Sequence, residues 1–210
     1  MRTRFLLVAL VALTLVVLDQ WTKLLAVEGL TPGLLAPPDY VMPFSEKVLR
    51  FYTKVEHPCR GVPKRDCPEK FFVGKFWSFE YHENPGAAWS FGAGTNPRLR
   101  VPFFVSVSVL AIGFIIYYLK KARPDQRRVV AGLVLVLGGA LGNLIDRARM
   151  GYVIDFIVWY IDVWFVDTYR WPTFNVADSA ITSGVVLLIL DSLLERKLPA
   201  KDEALVAKPD

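Results

Sequence analysis

"VVAGLVLVLGGALGNLI", residues 129–145, holds seventeen consecutive uncharged residues and runs straight into Asp146 and Arg147. A run this apolar and this long nearly matches the hydrocarbon core of a bilayer, which takes about 20 helical residues to cross. Two features single it out. Gly138 and Gly142, four apart, let another helix approach closely. Asn143 places an amide where it needs a partner of its own.

Three further apolar runs lie outward from it, Phe5–Val27, Leu99–Leu119 and Phe174–Leu194, in a chain of 210 residues that is 53% hydrophobic with a mean hydropathy of +0.35. Inside lipid only helices and closed barrels satisfy every backbone amide. The expected fold class is therefore an all-α membrane protein, a four-transmembrane-helix bundle forming one integral membrane domain over residues 1–210. The first run also resembles a signal peptide, since Arg2 and Arg4 precede apolar Phe5–Leu18. No small-x-small cleavage site follows, and the run continues through "LDQWTKLLAV", so it reads as a retained helix.

Basic residues set the expected orientation. Arg2 and Arg4, then Lys120, Lys121, Arg123, Arg127 and Arg128, then Arg196, Lys197 and Lys201 all fall on one side, which puts both termini in the cytoplasm. The net charge of +5 then reflects topology and contact with anionic lipid, with no nucleic-acid signature. Residues 28–98 and 146–173 become extracytoplasmic, and 195–210 a cytoplasmic tail.

On the exported side, Cys59 and Cys67 sit in a Pro- and Gly-rich loop, where an oxidising compartment favours a disulfide. The rival, a metal site with His57 and His82, has none of the usual zinc spacings. In "KFWSFEYHENPGAAWSFG" Trp77, Phe79 and Tyr81 alternate with polar residues at the strand period of two. Asn84-Pro85-Gly86 then turns the chain, and "AAWSF" can return as a second strand. This predicts a small β-hairpin, or cradle, lying on the membrane with its aromatic side in the headgroup belt. The rings of residues 156–171 suggest an amphipathic segment resting at the interface.

Ionisable groups in or beside a span require a reason. Asp19 and Lys23, at i and i+4, share a helix face and can pair near the outer interface, with Lys23 snorkelling outward. Asp178 follows Asn175 by three residues, as in a capping box at the start of the fourth helix. No such account covers Asp155, set in "YVIDFIVWY". Spans three and four meet at the outer interface, and two carboxyls sharing a site there cannot both ionise easily. One keeps a proton, so the pair holds both a base to activate water and an acid to protonate a leaving amine. Asp162 and Asp167 read as solvated loop acids, and Asp191 lies near the cytoplasmic end.

Taken together, "LDQWTK" (18–23), "ENPGAAWSF" (83–91), "GGALGNLIDRARMGYVIDFI" (138–157) and "FNVADSAI" (174–181) closely resemble the signal peptidase II family, the lipoprotein signal peptidases of bacterial membranes. The resemblance implies an intramembrane aspartyl endopeptidase of the bacterial inner membrane. It would remove signal peptides from diacylglyceryl-modified prolipoproteins, cutting on the amino side of the lipidated cysteine. Asp155 and Asp178 would be the catalytic pair. Asn84, Gly86, Asn143 and Arg147 would bind or position substrate, and Asp19, Lys23, Asp146, Asn175 and Ala177 would support the site. The family's β-cradle and interfacial helix would correspond to residues 76–91 and 156–171. A monomer without cofactor, inhibited by cyclic peptide antibiotics such as globomycin, is implied as well. Two departures stand out: residues 31–75 exceed the family's usual connection, and Trp89 replaces a phenylalanine.

Two other classes compete. A thiol-disulfide or quinone redox protein would need a reactive, closely spaced cysteine pair, which Cys59 and Cys67 are not. A small ion or proton carrier would use Asp19, Lys23, Asp155 and Asp178 as relay groups.

Overall fold

The computed structural model describes residues 2–55, 57–86, 94, 96–123, 125–163 and 166–195, with backbone alone at 2, 3, 162, 163, 166, 167 and 195. The four apolar runs form helices: α1 (Arg2–Leu30), α3 (Pro97–Lys121), α4 (Arg127–Met150) and α5 (Val176–Glu195). All four are long and apolar enough to cross a membrane. Among these four, α4 is the central one. It packs against α1, α3 and α5, and half of its apolar stretch is buried in the chain, against under a fifth for each of the others. The outward faces of the other helices carry exposed Leu6, Leu10, Leu110, Phe114, Val186 and Ile189, as expected where lipid is the solvent.

Small residues on α4 explain its place. A Cβ on Gly138 would come within 2.8 Å of Leu15 on α1, and one on Gly139 within 2.4 Å of the Ala177 carbonyl oxygen on α5. One face of the glycine stripe therefore receives α1 and the other α5. Gly151, at φ 76°, ends α4 in the left-handed conformation, its N–H donating to the Arg147 carbonyl.

Outside the bundle stands a four-stranded antiparallel sheet, β1 (Lys70–Val73), β2 (Trp77–Asn84), β3 (Val153–Val163) and β4 (Val166–Arg170), in the order β1-β2-β3-β4. The expected β2 strand is present, but it pairs backward with β1 and across with β3. The proposed return strand at 87–91, Trp89 included, lies outside the described residues. Tyr81 belongs to a core containing Leu24, Val27, Ile154 and Phe156, and Trp77 and Phe79 pack against that core while partly exposed.

The interfacial helix expected at 156–171 is a correction. Its described residues form strand over 156–163 and 166–170, because Val153, Ile154, Phe156, Ile157, Val158 and Trp159 are β-branched or aromatic and β2 supplies the missing hydrogen bonds. An amphipathic helix does occur, but in the insertion: α2 (Phe44–Thr53) buries Phe51 completely and exposes Phe44 and Leu49. Cys59 and Cys67 are joined in a disulfide with Cα atoms 6.0 Å apart.

Candidate active site

The α4–α5 contact brings two chain segments together at one end of the bundle. Ala177, 1% exposed, lies against the glycine stripe, and its backbone N–H donates to Asp19 Oδ1 at 3.0 Å. A larger residue at 177 would separate the helices. Just before it, Asn175 caps α5: its Oδ1 accepts from the Asp178 N–H at 2.9 Å, while Asp178 Oδ2 accepts from the Asn175 N–H at 3.2 Å. This reciprocal pair is the capping box read from the sequence.

Capping does not exhaust either residue. The fully buried Asn175 side chain also donates from Nδ2 to Asp155 Oδ1 at 2.7 Å, so one residue is bonded to both carboxyls. Asp155 comes from β3, where the register sets Asn84 opposite Val153 and His82 opposite Asp155. Asn84 and Asp155 are thus diagonal neighbours across the pair, and Asn84 Nδ2 donates to Asp155 Oδ2 at 3.0 Å. Burial and the nearby negative charge of Asp178 hold the Asp155 carboxyl well above the usual carboxylate range. Asp178 Oδ1 accepts from Asn143 Nδ2 at 2.8 Å.

Beneath the two acids lies a buried ionic network. Lys23, 0% exposed, does not snorkel, because a second carboxylate awaits it. Its ammonium uses all three donors: Asp19 Oδ2 at 2.8 Å, Asp146 Oδ2 at 2.8 Å and Asn143 Oδ1 at 3.1 Å. The remaining carboxylate oxygens are also met, Asp146 Oδ1 by Gln20 Nε2 at 2.9 Å and Asp146 Oδ2 additionally by the Ile154 N–H at 3.2 Å. Such satisfaction is what a desolvated charge cluster requires. It also has a directional result. With Lys23 on Asn143 Oδ1, the amide nitrogen of Asn143 must turn to Asp178.

A cleft of about 260 Å³ opens beside Asp178, lined by Asn84, Asn143, Arg147, Trp171, Phe174 and Thr182 among others. Arg147 Nη2 donates to the Gly86 carbonyl at 3.2 Å, and the Gly86 N–H donates to Asn84 Oδ1 at 3.0 Å. Every site residue named from the sequence therefore falls in or directly behind one cluster, Cys59 and Cys67 excepted. Asp162 and Asp167 lie on β3 and β4, their side chains outside the described set.

Two participants were not foreseen. Gln20 sits within the "LDQWTK" motif, beside Asp19, so its spacing to Lys23 was a usable signal. Tyr52 on α2 donates to Gln20 Oε1 at 3.0 Å, and Arg149 lies over the Phe51 and Tyr52 rings. Nothing local in the sequence indicates that contact.

Residues 11–194 match the model of signal peptidase (SPase) II. The chain is 43% identical over 189 residues to a lipoprotein signal peptidase of Anaeromyxobacter sp. (strain Fw109-5), covering 90% of this chain and 85% of that one. It is 51% identical over 128 residues to another from Geobacter sulfurreducens, 61% of this chain and 76% of that one. Among solved structures it resembles a bacterial membrane enzyme determined in meso at 2.3 Å, with a TM-score of 0.63, 25% identity, and coverage of 93% and 92%.

Proposed function

The chain belongs to the signal peptidase II family, and from that premise we propose that Asp155 and Asp178 are the catalytic pair of an aspartyl endopeptidase that removes signal peptides from bacterial prolipoproteins. The observation that carries the assignment is Asn175, bonded to both carboxyls, one of which, Asp178, lines a cleft. Asp178 lines that cleft, where a water would enter, and we assign it as the base, oriented by the two nitrogens that donate to it. Asp155, buried and raised, holds the shared proton.

In the proposed reaction, water held by Asp178 attacks the scissile carbonyl and yields its proton to that carboxylate. Asp155 passes its proton to the departing nitrogen as the carbon–nitrogen bond breaks. Asn84 and Gly86 present the strand edge to the substrate backbone, and Arg147 braces that edge from α4. Lys23, Asp19 and Asp146 orient Asn143 and Ala177 from beneath.

Asp178 stands in the first turn of α5, so the site belongs at the membrane boundary, where a diacylglyceryl-modified cysteine would anchor its scissile bond. Both termini are assigned to the cytoplasm from the basic clusters. The enzyme works as a monomer and is inhibited by globomycin-type cyclic peptides that occupy the cleft. A gel-shift assay with purified protein tests the function. A diacylglyceryl-modified prolipoprotein should be shortened, and the same precursor without its lipid should not. Equal cleavage of both, or of neither, would overturn the reading.

A further inference from the structure

At the opposite end of the bundle from the carboxyls, α1 and α4 enclose a trough of about 500 Å³. Leu7, Val11, Val130 and Leu135 line it with other aliphatic side chains, and Arg4 and Arg127 complete it. In the sequence these arginines are orientation signals, a role that needs no cavity. The structure gives them a common setting that topology alone does not explain.

The electrostatics of that setting are unbalanced. Arg4 is in the first turn of α1 and Arg127 is the first residue of α4, and neither first turn contains an acid. Two guanidiniums thus stand at two helix N-termini, the positive ends of the helix dipoles. Their neighbours are neutralised: Arg123 pairs with Asp125 at 3.3 Å and Arg128 with Asp191 at 3.8 Å. Among the described residues no acid pairs with Arg4 or Arg127. Arg4 Nη1 donates to the Ala122 carbonyl at 2.9 Å, tying α1 to the end of α3, but Arg4 Nη2 is shielded from solvent and meets no acceptor among the described residues. A shielded guanidinium N–H without an acceptor is costly, and an anion is its natural complement.

We infer that this trough is a binding site for an anionic glycerophospholipid, with the phosphate between Arg4 and Arg127 and an acyl chain along the aliphatic wall of α1 and α4. The charge calls for an anion, and the wall calls for a hydrocarbon chain attached to it. A free phosphate would leave the wall unfilled, and a neutral lipid would leave the guanidiniums unmatched.

The test is thermal unfolding of the full chain in detergent, titrated with phosphatidylglycerol or with phosphatidylcholine of the same acyl chains. Phosphatidylglycerol should raise the melting temperature at lower concentration than phosphatidylcholine. Each arginine replaced by glutamine should weaken the apparent phosphatidylglycerol affinity about five-fold, from roughly 1 kcal/mol per basic residue near an anionic lipid. R123Q, whose arginine lies outside the trough, should keep the wild-type response. Because R4Q removes one of the two basic residues before α1, whereas R127Q leaves four of the five in its own cluster, R127Q carries the test if R4Q fails to insert. Equal responses to the two lipids in the wild type, or an undiminished phosphatidylglycerol preference in R127Q, would overturn the proposal. Neither result bears on cleavage, so the peptidase assignment stands or falls separately.

Discussion

Gly139→Ala probes whether the α4–α5 contact fixes the spacing of the two carboxyls. The added Cβ would stand 2.4 Å from the Ala177 carbonyl oxygen and 2.7 Å from Ile181 Cγ1, where ordinary contact begins at 3.4 Å. A backbone oxygen cannot rotate away as a side-chain end can, so α5 must retreat by about 1 Å, a misplacement able to cost about 10²-fold in rate. Asp178 follows Ala177 directly and moves with it, whereas Asp155 stays on β3. Overpacking costs about 1–3 kcal/mol, and the gain of about 1 kcal/mol from replacing a helical glycine offsets only part of it. The gel-shift assay should show kcat down by about two orders of magnitude with a modest drop in melting temperature. Gly138→Ala meets Leu15 on α1 instead, at 2.8 Å, and should lower stability while sparing most of the cleavage. Were Gly139→Ala to cleave at the wild-type rate with wild-type stability, the claim that this contact sets the site would be wrong.

Three other perturbations have defined outcomes. The raised Asp155 carboxyl keeps its proton in the folded chain at pH values where the unfolded chain, near 3.8, has released it; stability should therefore fall as pH climbs from that value through the raised one. Cleavage should decline over the same alkaline limb as the shared proton is lost, and a kcat/KM profile without that limb would contradict the assignment. Tyr52→Phe removes the hydroxyl that donates to Gln20, which should lower stability by about 1 kcal/mol and reduce kcat a few-fold with KM unchanged. Replacing Cys59 and Cys67 together by serine should cost about 2–4 kcal/mol of stability in chemical or thermal unfolding and leave cleavage intact, an outcome that redox function would forbid.

How far the sequence reveals this molecule depends on the range of the interaction involved. The four helices are legible because an uninterrupted apolar run has no other structure available to it in lipid. The strand character of β2 is legible from its period of two. The segment that became β3 is not, since its rings describe amphipathicity without direction, and its hydrogen-bonding partner lies some seventy residues earlier. Lys23 shows the same limit. The pairing with Asp19, four residues away, is visible, but the second carboxylate, Asp146, comes from another helix and converts a snorkelling side chain into a buried one. Asp155 is noticeable for the opposite reason: nothing nearby accounts for a carboxyl in that setting. Tyr52 lies on an insertion whose contact with the buried network only the folded chain discloses.

The central claim, that Asp155 and Asp178 act as one unit, is met most directly by cleavage of a diacylglyceryl-modified prolipoprotein by single Asp→Asn variants that are shown to be folded and inserted. Asp155→Asn and Asp178→Asn should each abolish the gel shift. Asp162→Asn and Asp167→Asn should retain most of it, since position 162 lies roughly 23 Å along the strand from 155. An active Asp155→Asn enzyme beside an inactive Asp162→Asn one would contradict the account.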